Sequence, residues 1–321
     1  MAESYAFARE PVNDEFFVRR VRVALMRDIK DMFDEELPSH LATLAVPERL
    51  SVDDVRLHPF TEGMRQAVAG VEATHDRFWI SEGMVLSETL GAGDVEFESV
   101  LLTEARFESL RANPGSIRSR HWLICSAAVL ERVAGFKFHG GMMGLGMVPK
   151  SMSLVDLLLN ATSRSQGVVV CVGLKSQDNL GLVIRTAKAL GWAGVVTTPD
   201  AGSPWSRRVL RQSMGSSLLM PVVQTSDLAH VFSATRSHGM TLIGAALNPS
   251  SLSPEQIDRS LGQRRGPVAL VLGNEHMGLT PAHIDQCDQI VKIPMVPGHD
   301  SLNVAVAAGI LMWHWSPLRS H

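Results

Sequence analysis

Three short stretches of this 321-residue chain gather side chains that could do chemistry. "DNLGLVIRTAKALG" carries Asn179 and Arg185, "GNEHMG" carries Glu275, and "HDSLN" brings Ser301, Leu302 and Asn303 together just before "VAVAAGILMW". A carboxamide donates and accepts, a carboxylate accepts, and a guanidinium donates in a planar fork. Such a set can hold a polar ligand. Each member also has a plainer use: Asn179 and Ser301 suit helix N-caps, and Glu275 suits an exposed loop. Their joint appearance, each after a short apolar run, favours a site over three unrelated caps.

Those runs are the elements that must position them. "GVVVCVGL" (167–174), "GPVALVLGNE" and "QIVKIPM" are continuous, short and apolar, as strands buried on both faces of a parallel sheet are. "AGVVTTPD" and "MTLIGAAL" add two more strands. The helix after the first has Leu180, Val183, Ile184, Ala187 and Leu190 on one face and Gly191 at its end. In a parallel α/β sheet, ligands bind beyond the C-terminal ends of the strands, where the three stretches fall. Earlier in the chain, "RFWISEG", "FESVLLTEARFESL" and "HWLICSAAVLERVAG" alternate strand and helix patterns, and "GFKFHGGMMGLGMVPK" (135–150) is a last strand and a joint. Phe17, Val21, Leu25, Ile29 and Met32 form one helical stripe in the N-terminal segment. The expected division is 1–68, a largely helical extension; 69–150, a smaller α/β domain and linker; and 151–321, the domain with the chemistry.

Composition narrows the class. Hydrophobic residues make up 45% and charged residues 20%, as in an ordinary globular chain, and no apolar run approaches the roughly 20 residues of a membrane span. The acidic start has no uninterrupted apolar core, so no secretory signal is expected. Cys125, Cys171 and Cys287 are widely spaced and odd in number, which points to reduced thiols and a cytoplasmic protein. Charge is split, with 13 Lys/Arg against 10 Asp/Glu in 151–321 and 17 against 23 in 1–150. That asymmetry is too small to argue nucleic acid by itself. Within "SRRVLRQSMG", Arg207, Arg208 and Arg211 are adjacent or one turn apart, a patch for phosphate contact or a solvated helix face. The dinucleotide, P-loop and serine-hydrolase fingerprints are missing; "GLGMVP" lacks a third glycine. His283 and Cys287 are one turn apart, but two ligands make no metal site. A hydrolase using Ser301 would need a base, for which His299 is the one nearby residue.

The three stretches resemble the three motifs of the SpoU branch of the SPOUT RNA methyltransferases, in the family's order and spacing across most of residues 167–313. The resemblance implies a parallel α/β domain whose C-terminal segment forms a deep trefoil knot. It also implies S-adenosylmethionine as cofactor, held by Gly273, Ile293 and Leu302 with Met295 adjacent, and transfer of its methyl group to a ribose 2′-hydroxyl. Arg185 would be the central catalytic group, with Glu275, Ser301, Asn179 and Asn303 framing it. Because a guanidinium stays protonated, Arg185 is expected to hold a phosphate or the alkoxide rather than act as base. Residues 69–150 resemble the family's N-terminal substrate-binding domain of the L30e type. The family acts as homodimers in which a partner subunit completes the site, and Trp313 and Trp315 suit either such an interface or the core. Ala305, Ala308 and Gly309 fit a helix packed tightly on crossing backbone, with Val304, Ile310 and Leu311 as core. RNA is the implied partner, ribosomal RNA ahead of transfer RNA; no metal and no membrane are implied. A non-catalytic RNA-binding protein that keeps the fold is the competing class.

Overall fold

The computed structural model describes residues 48–51, 53–57, 60, 77–80, 83–91, 95–112, 118–135, 137, 139–262, 266–299 and 301–320. The helical stripe expected at 17–32 lies outside them, as does most of the segment 1–68.

Two sheets organise these residues. The first contains β1 (Glu48–Arg49), β2 (Arg77–Ile80), β3 (Glu96–Thr103), β4 (Arg118–Cys125) and β5 (Met142–Met147), in the order β1-β4-β3-β5-β2. β3 runs parallel to β4 and antiparallel to β5. Helices α1 (Gly83–Gly91), α2 (Glu104–Ala112) and α3 (Ala127–Ala134) connect these strands. β1 pairs in parallel with β4, so a piece of the segment before residue 69 belongs to this sheet. Two residues of strand carry too little pattern to be read from sequence.

The second sheet is wholly parallel. It comprises β6 (Val168–Cys171), β7 (Gly194–Thr197), β8 (Val222–Gln224), β9 (Thr241–Ala245), β10 (Val268–Leu272) and β11 (Gln289–Val291), ordered β11-β9-β10-β6-β7-β8. Its helices are α4 (Leu154–Ser163), α5 (Gln177–Ala189), α6 (Arg207–Gln212), α7 (Ser216–Leu219), α8 (Leu228–Ser237), α9 (Pro254–Leu261), α10 (Pro281–Ile284) and α11 (Val304–His314). Both faces are covered, which is why the strands read as unbroken apolar runs. In β6, Val169 and Cys171 pack with α5 and α11, while Val168 and Val170 pack with α4 and α8.

Close packing decides several residue choices. α11 turns Ala305, Ala308, Leu311 and Met312 to the core, a stripe that keeps it close to α5. Two expectations fail on the same helix. Ile310 lies off that stripe and is 43% exposed. A Cβ on Gly309 would meet only the Thr186 methyl group at 3.8 Å, so nothing requires a glycine there. A glycine that packing does demand is Gly181, where a Cβ would sit 2.6 Å from Gln212 Cβ and 3.0 Å from the Val209 carbonyl oxygen, between α5 and α6. The two tryptophans separate: Trp315 is buried and donates its indole N–H to Asp258 (2.9 Å), whereas Trp313 is 51% exposed. The Trp192 indole donates to the Met312 carbonyl (3.2 Å) and the Ser316 hydroxyl to the Leu190 carbonyl (2.8 Å), fastening both ends of this segment to the turn after α5.

Leu210 and Leu218 from α6 and α7 join one apolar cluster with Val85, Leu86 and Phe97 of the first sheet and its helix. The two halves therefore meet through apolar side chains beside the basic helix α6. No helix among the described residues is long and apolar enough to cross a membrane.

Candidate functional site

The chain leaves β6, β10 and β11 by loops that converge, and a line of side-chain hydrogen bonds ties them together. Asn179, in the first turn of α5, donates to Glu275 in the loop after β10 (3.0 Å). Asn303, ahead of α11, donates to the Asn179 side-chain oxygen (3.1 Å). Glu275 also accepts the backbone N–H groups of Lys175 (3.1 Å) and Ser176 (3.0 Å), at the electropositive start of α5. Burial pushes the Glu275 carboxyl up, but the bonds from Asn179 and from the backbone outweigh it, so the group titrates below its ordinary range. Asn303 turns its remaining oxygen to the N–H groups of Ala305 (2.9 Å) and Val306 (3.3 Å), which makes it the N-cap of α11. The cap of α5 is Ser176, so Asn179 is released for the line.

Beside this line lies a pocket of about 630 Å³, within the range of small-molecule sites. Gly273, Ile293, Leu302 and Met295 all line it, as do Glu275, Ser301 and Asn303. Val304, Ala307 and Leu311 of α11 form part of its wall. Gly273 is buried, and its missing side chain serves the loop's own closure: a Cβ would fall 2.3 Å from the carbonyl carbon of Gly278. Ser301 is exposed at the pocket and makes no hydrogen bond to another described residue, His299 included. The hydrogen-bonded serine–base pair that a hydrolase would need is not formed among the described residues. Cys171 ends β6 fully buried; burial, with the Glu275 charge, pushes its thiol up to about 12, so it supplies no thiolate. Among the described residues no three His, Cys, Asp or Glu side chains gather as a metal site would require; the Cys287 thiol donates to the His283 carbonyl (3.3 Å).

Arg185 stands apart. It is exposed on α5, bonds to no described residue and does not line the pocket. Six residues of helix separate it from Asn179, which leaves the two side chains about 120° apart around the axis. Of the basic trio, Arg208 is exposed and forked onto Asp178 (2.7 and 2.5 Å), whose carboxyl it holds below the usual range against a burial penalty, with the Arg211 charge adding to the effect. Arg207 is half-buried and Arg211 exposed.

A family model described as the SpoU rRNA Methylase family matches residues 166–313, the span that builds the pocket. A 23S rRNA (guanosine-2′-O-)-methyltransferase of Acinetobacter baylyi is 31% identical over 186 residues, covering 57% of this chain and 73% of the relative. The chain belongs to the SpoU rRNA methylase family. An uncharacterized tRNA/rRNA methyltransferase of Mycobacterium tuberculosis matches this SpoU member over 235 residues at 28% identity, covering 73% of this chain and 79% of the relative. In fold, it is similar to an AdoMet-bound rRNA methyltransferase from Sinorhizobium meliloti (TM-score 0.66, 19% identity, 83% of this chain and 96% of that one).

The motif residues locate the SpoU pocket but miss part of its wall. Ala245, Ala246 and Leu247, at the end of β9 and just past it, line it, as do Asn274, His276, Met277 and Lys292. The rule that ligands bind at strand ends, applied to "MTLIGAAL" as well, would have found the first three. Asn274 donates to the Gly173 carbonyl (2.6 Å), pinning the loop after β10 to the end of β6. No signal in the sequence singles it out from Glu275.

Proposed function

We propose that the protein methylates a ribose 2′-hydroxyl of RNA with S-adenosylmethionine. The observation that carries this is the Asn303–Asn179–Glu275 line running beside a pocket lined by Gly273, Ile293, Leu302 and Met295. The residues fit the cofactor: apolar walls for a flat adenine, with polar backbone and the Ser301 hydroxyl close by. When bound, the cofactor supplies an electrophilic methyl group on a sulfonium.

The chain's own groups then have to present a hydroxyl to it. The Ser301 hydroxyl, with no hydrogen-bond partner among the described residues, is placed to take a hydrogen bond from the incoming ribose. Glu275 acts as a positioning residue, since its bonds to Asn179 and the backbone at 175–176 hold the loop after β10 to the start of α5, and the Asn303–Asn179 bond adds the third loop. Arg185 holds a phosphate or the developing alkoxide in a second copy's site. Leu182, one turn before it on α5, is exposed, as are Val306, Ile310 and Trp313 at i, i+4, i+7 on the neighbouring α11. This apolar face is of the kind that a second copy would cover, and covering it would bring Arg185 to that copy. The strand order β11-β9-β10-β6, with α11 returning to α5, supports the knotted path implied for the last segment.

The five-stranded half, read as an L30e-type substrate domain, sits next to α6 and supports a structured RNA as substrate, ribosomal RNA first. Arg207 and Arg211 supply phosphate contacts there.

The test has two parts. Calorimetry should show S-adenosylmethionine binding, and RNA from cells lacking the protein, once treated with it, should resist alkaline cleavage at one position. Arg185→Ala should abolish methylation and leave cofactor affinity within about twofold, because the side chain lies outside the pocket. Cofactor binding without any methylated RNA would point to the non-catalytic class.

A further inference from the structure

The loop after β10 presents two side chains that the proposed methyl transfer does not use. Asn274 and Gly278 bond backbone to backbone across it (3.2 and 2.9 Å). The Asn274 side-chain oxygen accepts the N–H groups of His276 (2.9 Å) and Met277 (3.1 Å), and its amide fixes the loop to Gly173. Its shape is set before any ligand arrives, so holding a ligand costs little ordering entropy. Yet Met277 is 82% exposed, the most exposed large apolar side chain among the described residues, and His276 beside it is exposed too. Both line the pocket together with the exposed Leu247 from the end of β9.

A rigid loop that keeps a thioether and an imidazole in water next to a pocket has one well-matched complement, a flat ring with two π faces. Methionine sulfur makes favourable contacts with such rings, and imidazole stacks on unpaired RNA bases. A ribose delivered to the Ser301 hydroxyl brings its base along, attached at the adjacent carbon. We propose that His276 and Met277 seat the base of the nucleotide being methylated, an unpaired base of single-stranded or looped RNA. This rests on the methyltransferase reading of the pocket. It makes the loop a determinant of which unpaired nucleotide is accepted, through ring contact rather than through charge.

The experiment uses the full chain and a hairpin RNA with 2-aminopurine at one loop position, in the presence of S-adenosylhomocysteine. Wild-type protein should quench the fluorescence on binding. Met277→Ala and His276→Ala should each weaken RNA binding about tenfold, in line with the removal of one base-stacking partner. Met277→Leu should recover most of that affinity, and each alanine variant should lose more affinity for the RNA than for S-adenosylmethionine. No quenching by wild type, or unchanged RNA affinity in both alanine variants, would overturn the proposal. A changed oligomeric state in Met277→Asp would also overturn it and assign the loop to a subunit contact. Because quenching needs no methyl transfer, an inactive wild type that still quenches would sink the enzyme reading and leave the base seat standing.

Discussion

Asn179 is the middle member of the hydrogen-bonded line, and removing it tests whether the three motif loops are coupled. Asn179→Ala deletes a 3.0 Å bond to a carboxylate and a 3.1 Å bond from Asn303. Bonds to charged groups contribute about 1.5–3 kcal/mol and neutral ones about 0.5–1.5 kcal/mol. The lower ends apply here, because Glu275 keeps two backbone donors and the exposed Asn303 amide regains water. The expected loss is therefore about 2 kcal/mol, or a fall of about 4–8 °C in melting temperature for a domain of this size. Glu275→Gln weakens the same bonds and should cost about 1–2 kcal/mol on its own. The double variant should then lose less than the sum, with a coupling near 1 kcal/mol in urea midpoints measured on all four proteins. Losses that add to within about 0.3 kcal/mol would mean the two side chains do not touch, and the reasoning about the line would be wrong.

Titration, packing and surface charge each give a further outcome. Glu275 is held below its ordinary value of 4.5, so its stabilising contribution is complete above that value and disappears as pH falls through the lower folded value; unfolding free energy should decline on acidification below about pH 5, and Glu275→Gln should flatten that part of the profile. Gly309→Ala should raise stability by about 1 kcal/mol, since the helix gains a better former with room for its methyl group. Gly181→Ala should destabilise by about 1–3 kcal/mol through the clash with Gln212 and Val209, and thermal melts that rank the two the other way would contradict the packing. Reversing charge at Arg207 and Arg211 should lower the slope of log affinity against log salt for RNA by about 1 for each phosphate no longer neutralised, whereas Arg208→Ala, already forked onto Asp178, should change it little.

Much of the six-stranded half is legible because a strand buried on both faces leaves an unbroken apolar run, as in "VVVC" and "VALVL". The residues at the ends of three such runs do converge. What escapes is geometry that depends on helix rotation and on short elements. Asn179 and Arg185 share a motif, which points to one site, although six helical residues turn them away from each other. β8 has three residues, too few to show a period. α9 carries a local signal that periodicity does not use: Ser253 and Gln256 form a capping box around Pro254. Gly309 and Gly181 look alike in sequence, and only the neighbour across the interface says which one is needed.

The fastening of α11 has a consequence for how the protein comes into being on the ribosome. The segments ending β9, β10 and β11 are made first, but the pocket's remaining side comes from residues 301–311, whose helix is tied down by Trp192, Leu190 and Asp258 only once Met312, Trp315 and Ser316 have emerged. A nascent chain stopped at Ile293 would hold a half-built cleft. Ligand can thus reward folding only after this segment has been made, and a small change around residues 312–316 would remove binding while sparing nearly all of the sheet.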